Sequence, residues 1–270
     1  MRSWVAGMVA EGVGAASIEA ALLVLRNTLE TAVEDRALAI NPAAGIKAPR
    51  RQQERRGYLT VGQVQRLSDE VGAHRDNDRA AVRLLALTGL RWGELAALRV
   101  GSSDMLRRRV TITEAMAEVK GKSVVSSPKT HEKRTVPFPS ALAGELAALM
   151  VGKGRDDLVF TSPEGDWFRV STFRTRVFAR AVARCQVDDP DFPTVTPHDL
   201  RHTAASLAIS AGANVKSVQT MLGHASAAMT LDTYADLFPD DLDAVAERLD
   251  VVWRAECVQI VSTGVETPTA

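Results

Sequence analysis

Thr196-Pro197-His198-Asp199-Leu200-Arg201-His202-Thr203, followed by Leu222-Gly223-His224 and then by Thr233-Tyr234, is the stretch on which the reading of this sequence turns. Proline is favoured in the first turn of a helix, where its missing N–H would have had no partner anyway. Pro197 therefore predicts a helix start, with His198 and Arg201 in the opening turns at i and i+3 on one face. The free N–H groups and the dipole of a helix start favour an anion, and a guanidinium on the same face makes the place a phosphate site. Gly223 predicts a tight turn at His224, and Ser226 to Phe238 reads as a short helix carrying Tyr234. A lone His or Tyr in such a setting is more often a packing residue. His198 and His202 stand at i and i+4, a spacing some metal sites use, but no third ligand falls in frame, so His202 reads as a packed, hydrogen-bonded residue.

A second segment lies upstream: Leu87-Thr88-Gly89-Leu90-Arg91-Trp92-Gly93-Glu94-Leu95. Arg91 follows an apolar run, where a guanidinium is buried only against something anionic. Glu94, three residues on, can be that partner, and an anionic ligand is the other reading.

Around these segments the chain divides by pattern. Ser17 to Ala37 reads as one amphipathic helix, with Ile18, Leu22, Leu25, Leu29, Ala32 and Val33 near one stripe, and Asn41-Pro42 stops it. Residues 47–57 are polar, basic and broken by Pro and Gly, which marks a linker. Thr60 is a good N-cap for a new helical domain that runs through the apolar stretch Ala80 to Leu90. Between Arg107 and Pro139 β-formers take over, at Val110, Ile112, Val124-Val125 and Thr135-Val136-Pro137-Phe138. They predict a three-stranded antiparallel sheet whose second turn holds Lys129. Helices return at Ala141 and are expected to persist to about Val252, before a loose tail.

Length and composition suit one large domain with a smaller partner: 270 residues, 46% apolar. Net charge is zero, but its distribution is uneven. Lys47, Arg50, Arg51, Arg55 and Arg56 face only Glu54, and Phe168 to Val187 holds five arginines and no acid. Acids gather late, at Asp236, Asp240, Asp241, Asp243, Glu247 and Asp250. Basic blocks of this kind fit a nucleic-acid partner or simply a solvated helix face. Cys185 and Cys257 make no disulfide or metal framework. There is no long apolar span and no signal-like start, so a reduced, cytoplasmic protein with no membrane partner is expected.

The ordered set of segments resembles the tyrosine recombinase (phage integrase) family, whose hallmark is Arg, Lys, His-x-x-Arg, His or Trp, and Tyr in that order. The matches are Arg91 in Thr-Gly-Leu-Arg, Lys129 in Pro-Lys-Thr, His198-Asp-Leu-Arg201-His-Thr, Leu-Gly-His224, and Tyr234 ten residues further on. The resemblance covers residues 59–250 well and 1–48 in part. It implies a mainly α fold with a small antiparallel β-sheet. A catalytic domain at 59–252 would follow a partial helical core-binding (DNA-binding) segment at 1–46 and a basic linker at 47–58, with a tail at 253–270.

The activity it implies is site-specific recombination through a covalent 3′-phosphotyrosyl intermediate, with double-stranded DNA at specific recombination sites as partner and four protomers on two duplexes. A type IB topoisomerase and a catalytically silent DNA-binding relative are the rival readings. The resemblance also assigns roles. Arg91 and Arg201 clamp the non-bridging oxygens, His224 adds a hydrogen bond, Tyr234 attacks, His198 accepts its proton and Lys129 protonates the leaving 5′-oxygen. Lys120, Lys122 and Lys133 stand near enough to compete with Lys129 for that role. Arginines neutralise charge and the phosphotyrosine conserves bond energy, so no metal, ATP or other cofactor is expected.

Overall fold

Thr60 accepts a hydrogen bond from the Gln63 amide while Gln63 reaches back to the Thr60 amide, a reciprocal cap that starts the larger of two units. The units are Met1–Arg56 and Gly57–Ala270. The computed structural model describes residues 1–50, 57–126 and 133–238, together with 246, 247, 249–251, 253 and 254.

The smaller unit is a helix pair, α1 (Arg2–Ala10) and α2 (Ala15–Glu34), so the helix expected over Ser17 to Ala37 begins and ends a little earlier. Ile18 and Leu22 are its buried positions. The chain beyond α2 is tied back along it by side chains. Asn41 donates to the Arg26 carbonyl (3.0 Å) and to Glu30 (2.6 Å), and Arg26 donates to the Ile46 carbonyl (2.8 Å). No helix of the described residues is long and apolar enough to cross a membrane.

In the larger unit, α3 (Val61–Val71) packs on α4 (Asp76–Thr88). Ala80, Ala81, Val82, Leu84, Leu85 and Ala86 of α4 are all buried, because neighbours cover more than one face of this helix. After α5 (Trp92–Ala96) come five strands: β1 (Ser103–Asp104), β2 (Arg109–Ile112), β3 (Ala115–Val119), β4 (Lys122–Ser126) and β5 (Arg134–Pro137). They do not form the single three-stranded sheet expected. One antiparallel sheet has the order β1-β2-β5, with Val110 opposite Val136 and Ile112 opposite Arg134, while β3 and β4 pair as a separate hairpin. Gly93 supplies a reason for the split. A side chain there would lie 2.4 Å from the Met116 carbonyl, so its absence lets β3 leave β2 and settle on α5. The turn expected to hold Lys129 falls between β4 and β5, outside the described residues.

Helix returns at α6 (Ala143–Met150) but does not persist as expected. Residues 151–169 form an irregular stretch with isolated bridges Arg99–Leu158 and Thr161–Trp167. Gly152, Gly154, Pro163 and Gly165 interrupt helical geometry there. α7 (Val170–Phe173) then continues through one π-helical turn, Arg174–Phe178, into α8 (Ala179–Asp188). Trp92, Phe168, Phe173 and Phe178 form a chain of ring contacts at 4.8–5.8 Å, and the Trp92 indole donates to the Phe168 carbonyl (3.0 Å). This cluster fixes the start of α5, next to Arg91. Next come α9 (Asp199–Ser210), α10 (Val215–Leu222) and α11 (Ala227–Tyr234), with α9 packed against α4, and the described residues from 246 to 254 are helical as well.

Candidate active site

Arg201 lies on the first turns of α9 with its side chain almost wholly buried, 5% exposed. Two of its five N–H donors are committed to backbone: Nη1 to the Gly89 carbonyl and Nη2 to the Leu222 carbonyl, both at 2.6 Å. These carbonyls end α4 and α10, where helix termini carry partial negative charge. The guanidinium is thus aimed by two helix ends before any ligand arrives. Burial, and next the charge of Arg91, push its pKa down to about 10.

Arg91 precedes α5 and Glu94 is buried behind it. Glu94 accepts from the Arg91 amide (2.8 Å) and from Arg91 Nη1 (3.0 Å), so the i, i+3 partnership foreseen for this pair is present. Glu94 has a second and closer partner that the sequence reading passed over. Arg134 of β5 grips it with both terminal nitrogens, at 2.8 and 2.6 Å. Burial alone would raise the Glu94 pKa, but the Arg134 hydrogen bonds and charge, with those of Arg91, hold it below the ordinary carboxylate value. The signal for Arg134 was available. Side chains two apart on a strand share a face, and Val136 is a core residue, so Arg134 had to point inward with it.

Gly223, at φ 65°, ends α10, and a side chain there would meet Arg134 Nε at 2.9 Å. Its carbonyl also accepts a long bond from Arg91 Nη2 (3.4 Å). The turn therefore brings His224 up to all three arginines. His224 Nδ1 is 2.9 Å from the buried hydroxyl of Thr230, and its backbone carbonyl accepts from Gln219 (3.2 Å). Burial lowers its pKa to about 4, helped by the charges of Arg201, Arg91 and Arg134. Three guanidinium groups around one carboxylate leave two positive charges uncompensated among these four groups. That is a site for an anion that gains charge as it reacts.

Tyr234 closes α11 and is 1% exposed. Its ring lies parallel to that of His224, 6.4 Å away, and its hydroxyl is 2.7 Å from His202 Nδ1. A negative charge on Tyr234 would stabilise the Arg201 cation. His198 caps the N-terminus of α9, one residue before the helix proper, so Pro197 sits just outside it and not in its first turn. It is exposed, and its ring meets the His202 ring edge-on at 5.4 Å. Arg91, Arg201, His224 and Tyr234 are thus brought together, His198 stands beside His202, and Lys129 lies outside the described residues. Among the described residues no group of three or more His, Cys, Asp or Glu could hold a metal ion.

The Phage integrase family profile matches residues 57–240. The chain belongs to the phage integrase family. It is a site-specific recombinase of the tyrosine class. An integrase of Mycobacterium phage FRAT1 is 33% identical over 240 residues, covering 86% of this chain and 68% of that protein. The tyrosine recombinase XerC of Mycobacterium bovis is 31% identical over 259 residues, covering 92% of this chain and 81% of the relative. In fold, this recombinase is similar to the Tn1549 transposon integrase, solved in complex with transposon right end DNA. The TM-score is 0.80 at 23% identity, covering 92% of this chain and 84% of that one. It is also similar to a lambda integrase dimer bound to a core site, with a TM-score of 0.62 at 21% identity over 84% of this chain and 78% of the other.

The electrostatics of His224 give a test in the free recombinase. Its folded pKa, about 4, lies below the ordinary 6.5, so the unfolded chain takes up a proton that the folded one refuses. The stability this contributes is fully present above about pH 6.5 and is lost as pH falls towards 4. The His224 ring proton, followed by NMR, should titrate near 4 in the free protein and higher once inorganic phosphate is bound. An ordinary titration in the free protein would mean that the arginines do not surround it.

Proposed function

We propose that this recombinase cuts DNA by attack of the Tyr234 hydroxyl on a backbone phosphate, forming a 3′-phosphotyrosine and releasing a 5′-hydroxyl that can later rejoin. One observation carries the reading: the phenol oxygen is held by a histidine within a cluster of three arginines. In this role Arg91 and Arg201 take the two non-bridging oxygens, using the N–H donors that Glu94 and the helix-end carbonyls leave over. His224, anchored through Nδ1 to Thr230, offers Nε2 to the same oxygens when the Thr230 hydroxyl donates to Nδ1. His198, exposed at the helix start, is proposed to meet the phosphate at the edge of the site. Lys129 is proposed as the acid for the 5′-oxygen. Preorganised donors of this kind contribute on the order of 3–4 kcal/mol each to a transition state.

Double-stranded DNA at a recombination site is the proposed partner, with four protomers on two duplexes and the Leu237–Val252 segment docking on a neighbour. The test is direct. A nicked duplex carrying the attachment site, taken from the DNA flanking the gene, should give a denaturation-resistant adduct whose linked peptide contains Tyr234. An adduct on another residue, or a cleavage step that stops in EDTA, would refute the mechanism.

The smaller unit and the basic segment after it are proposed to follow the DNA backbone. Arg50 is exposed; Arg51, Arg55 and Arg56 lie outside the described residues. Each phosphate contact releases counterions and adds about 0.9 to the slope of log affinity against log salt. Neutralising all four arginines should weaken binding on every sequence and flatten that slope, as read by fluorescence anisotropy. An unchanged slope would show that this segment does not track DNA.

A further inference from the structure

We propose that His202, and not His198, receives the proton of Tyr234 as the phenol attacks. This rests on the phosphotyrosine reading above and assigns the base within it. A general base must lie within about 2.6–3.2 Å of the atom that gives up the proton, and His202 Nδ1 is 2.7 Å from the Tyr234 hydroxyl. The His202 ring stands 5.7 Å from the Tyr234 ring at 56° between planes, and it also meets the His198 ring edge-on. His202 directly follows Arg201 on α9, so one helix sets both a phosphate ligand and the base. His202 is half-buried, whereas His198 is exposed.

The Tyr234 O–H bond breaks and its proton passes to Nδ1 of a His202 ring that carries its own proton on Nε2. The phenol oxygen bonds to phosphorus, and the bond from phosphorus to the 5′-oxygen breaks. The leaving 5′-oxygen takes a proton from the general acid, for which Lys129 is the candidate. Ligation reverses each transfer, and His202 returns its proton to the departing phenol.

The experiment uses the full chain and the attachment-site duplex in single-turnover cleavage, with thermal unfolding followed in parallel. His202→Asn sets an amide close to where Nδ1 sits, so it can hold the phenol but cannot take its proton. Its cleavage should fall by about 100-fold or more, while His198→Ala loses less. Placing fluorotyrosine, a more acidic phenol, at position 234 should restore at least tenfold of the loss in His202→Asn. A duplex with sulfur in place of the bridging 5′-oxygen should restore nothing, because it relieves only the need for an acid.

Near-normal cleavage by His202→Asn would overturn the proposal and leave His202 as a tether for Tyr234. Failure of fluorotyrosine to rescue, or rescue by the sulfur substrate, would overturn it as well. None of these results touches the phosphotyrosine reading, which falls only if the unaltered protein forms no adduct through Tyr234.

Discussion

Tyr234→Phe is expected to yield no denaturation-resistant adduct at all, with or without EDTA, while the protein stays folded and binds DNA nearly as well as the parent. The ring is 1% exposed and packs beside Ala205, Ile209, Val218 and Leu222, and phenylalanine keeps all of that packing. The hydrogen bond to His202 is lost, about 1 kcal/mol, which lowers Tm by about 2–4 °C for a domain of this size. Chemistry and stability therefore separate widely. Cleavage vanishes because no other oxygen stands in that place, and the fold hardly changes. The measurement is a gel of the denatured adduct beside a melting curve. An adduct in the Phe variant would remove Tyr234 from the reaction, and a collapse in Tm would mean that the hydroxyl serves the core.

The strands, which split into a sheet and a separate hairpin where one sheet was expected, and the Arg91–Glu94 pair, which is present, show where sequence alone carries and where it stops. Thr60 with Gln63 is a local signal, and the cap formed as its residue types dictate. Arg91 with Glu94 is equally local, three residues apart, and the pair is present. The division of the strands is not local. It depends on α5 accepting β3 against the bare backbone of Gly93, which β-propensity cannot register. The site divides in the same way. Its residue types and order were legible through the resemblance to the family, and Arg91, Arg201, His224 and Tyr234 lie together.

Arg134 is forty residues from Glu94 in sequence, so strand alternation with Val136 turns it inward but no local pattern names Glu94 as its partner. His198 and His202 stand at i and i+4, the first at the N-cap of α9 and the second within it, yet the meeting of His202 with Tyr234 depends on where α11 ends. His202, read as a packed, hydrogen-bonded residue, has the phenol itself as a partner, which sequence did not name.

Replacing Arg201 should separate catalysis from stability more sharply than its burial leads one to expect. Arg201→Met retains an aliphatic stem of similar reach and removes only the charge and the hydrogen bonds. On one side, the Gly89 and Leu222 carbonyls lose their donors, at about 1–3 kcal/mol each if they stay buried. On the other, the cation is held at a cost. Its pKa is pushed down to about 10, chiefly by burial and then by Arg91, and at about 1.4 kcal/mol per unit that is roughly 3 kcal/mol relieved on its removal. The two effects largely cancel, so Tm should fall by less than about 10 °C. Affinity for DNA should stay within roughly tenfold, about 1.4 kcal/mol, because this guanidinium reaches one phosphate among many. Single-turnover cleavage should drop by about 100- to 1000-fold, the loss of one preorganised donor to the charged transition state. Arg201→Lys should not recover it, since a point charge cannot span two carbonyls and a phosphate oxygen together. Melting, anisotropy and cleavage on the same preparation decide the matter. Equal losses in binding and cleavage would make Arg201 a docking residue, and a much larger fall in Tm would show that the two helix ends depend on this side chain to stay together.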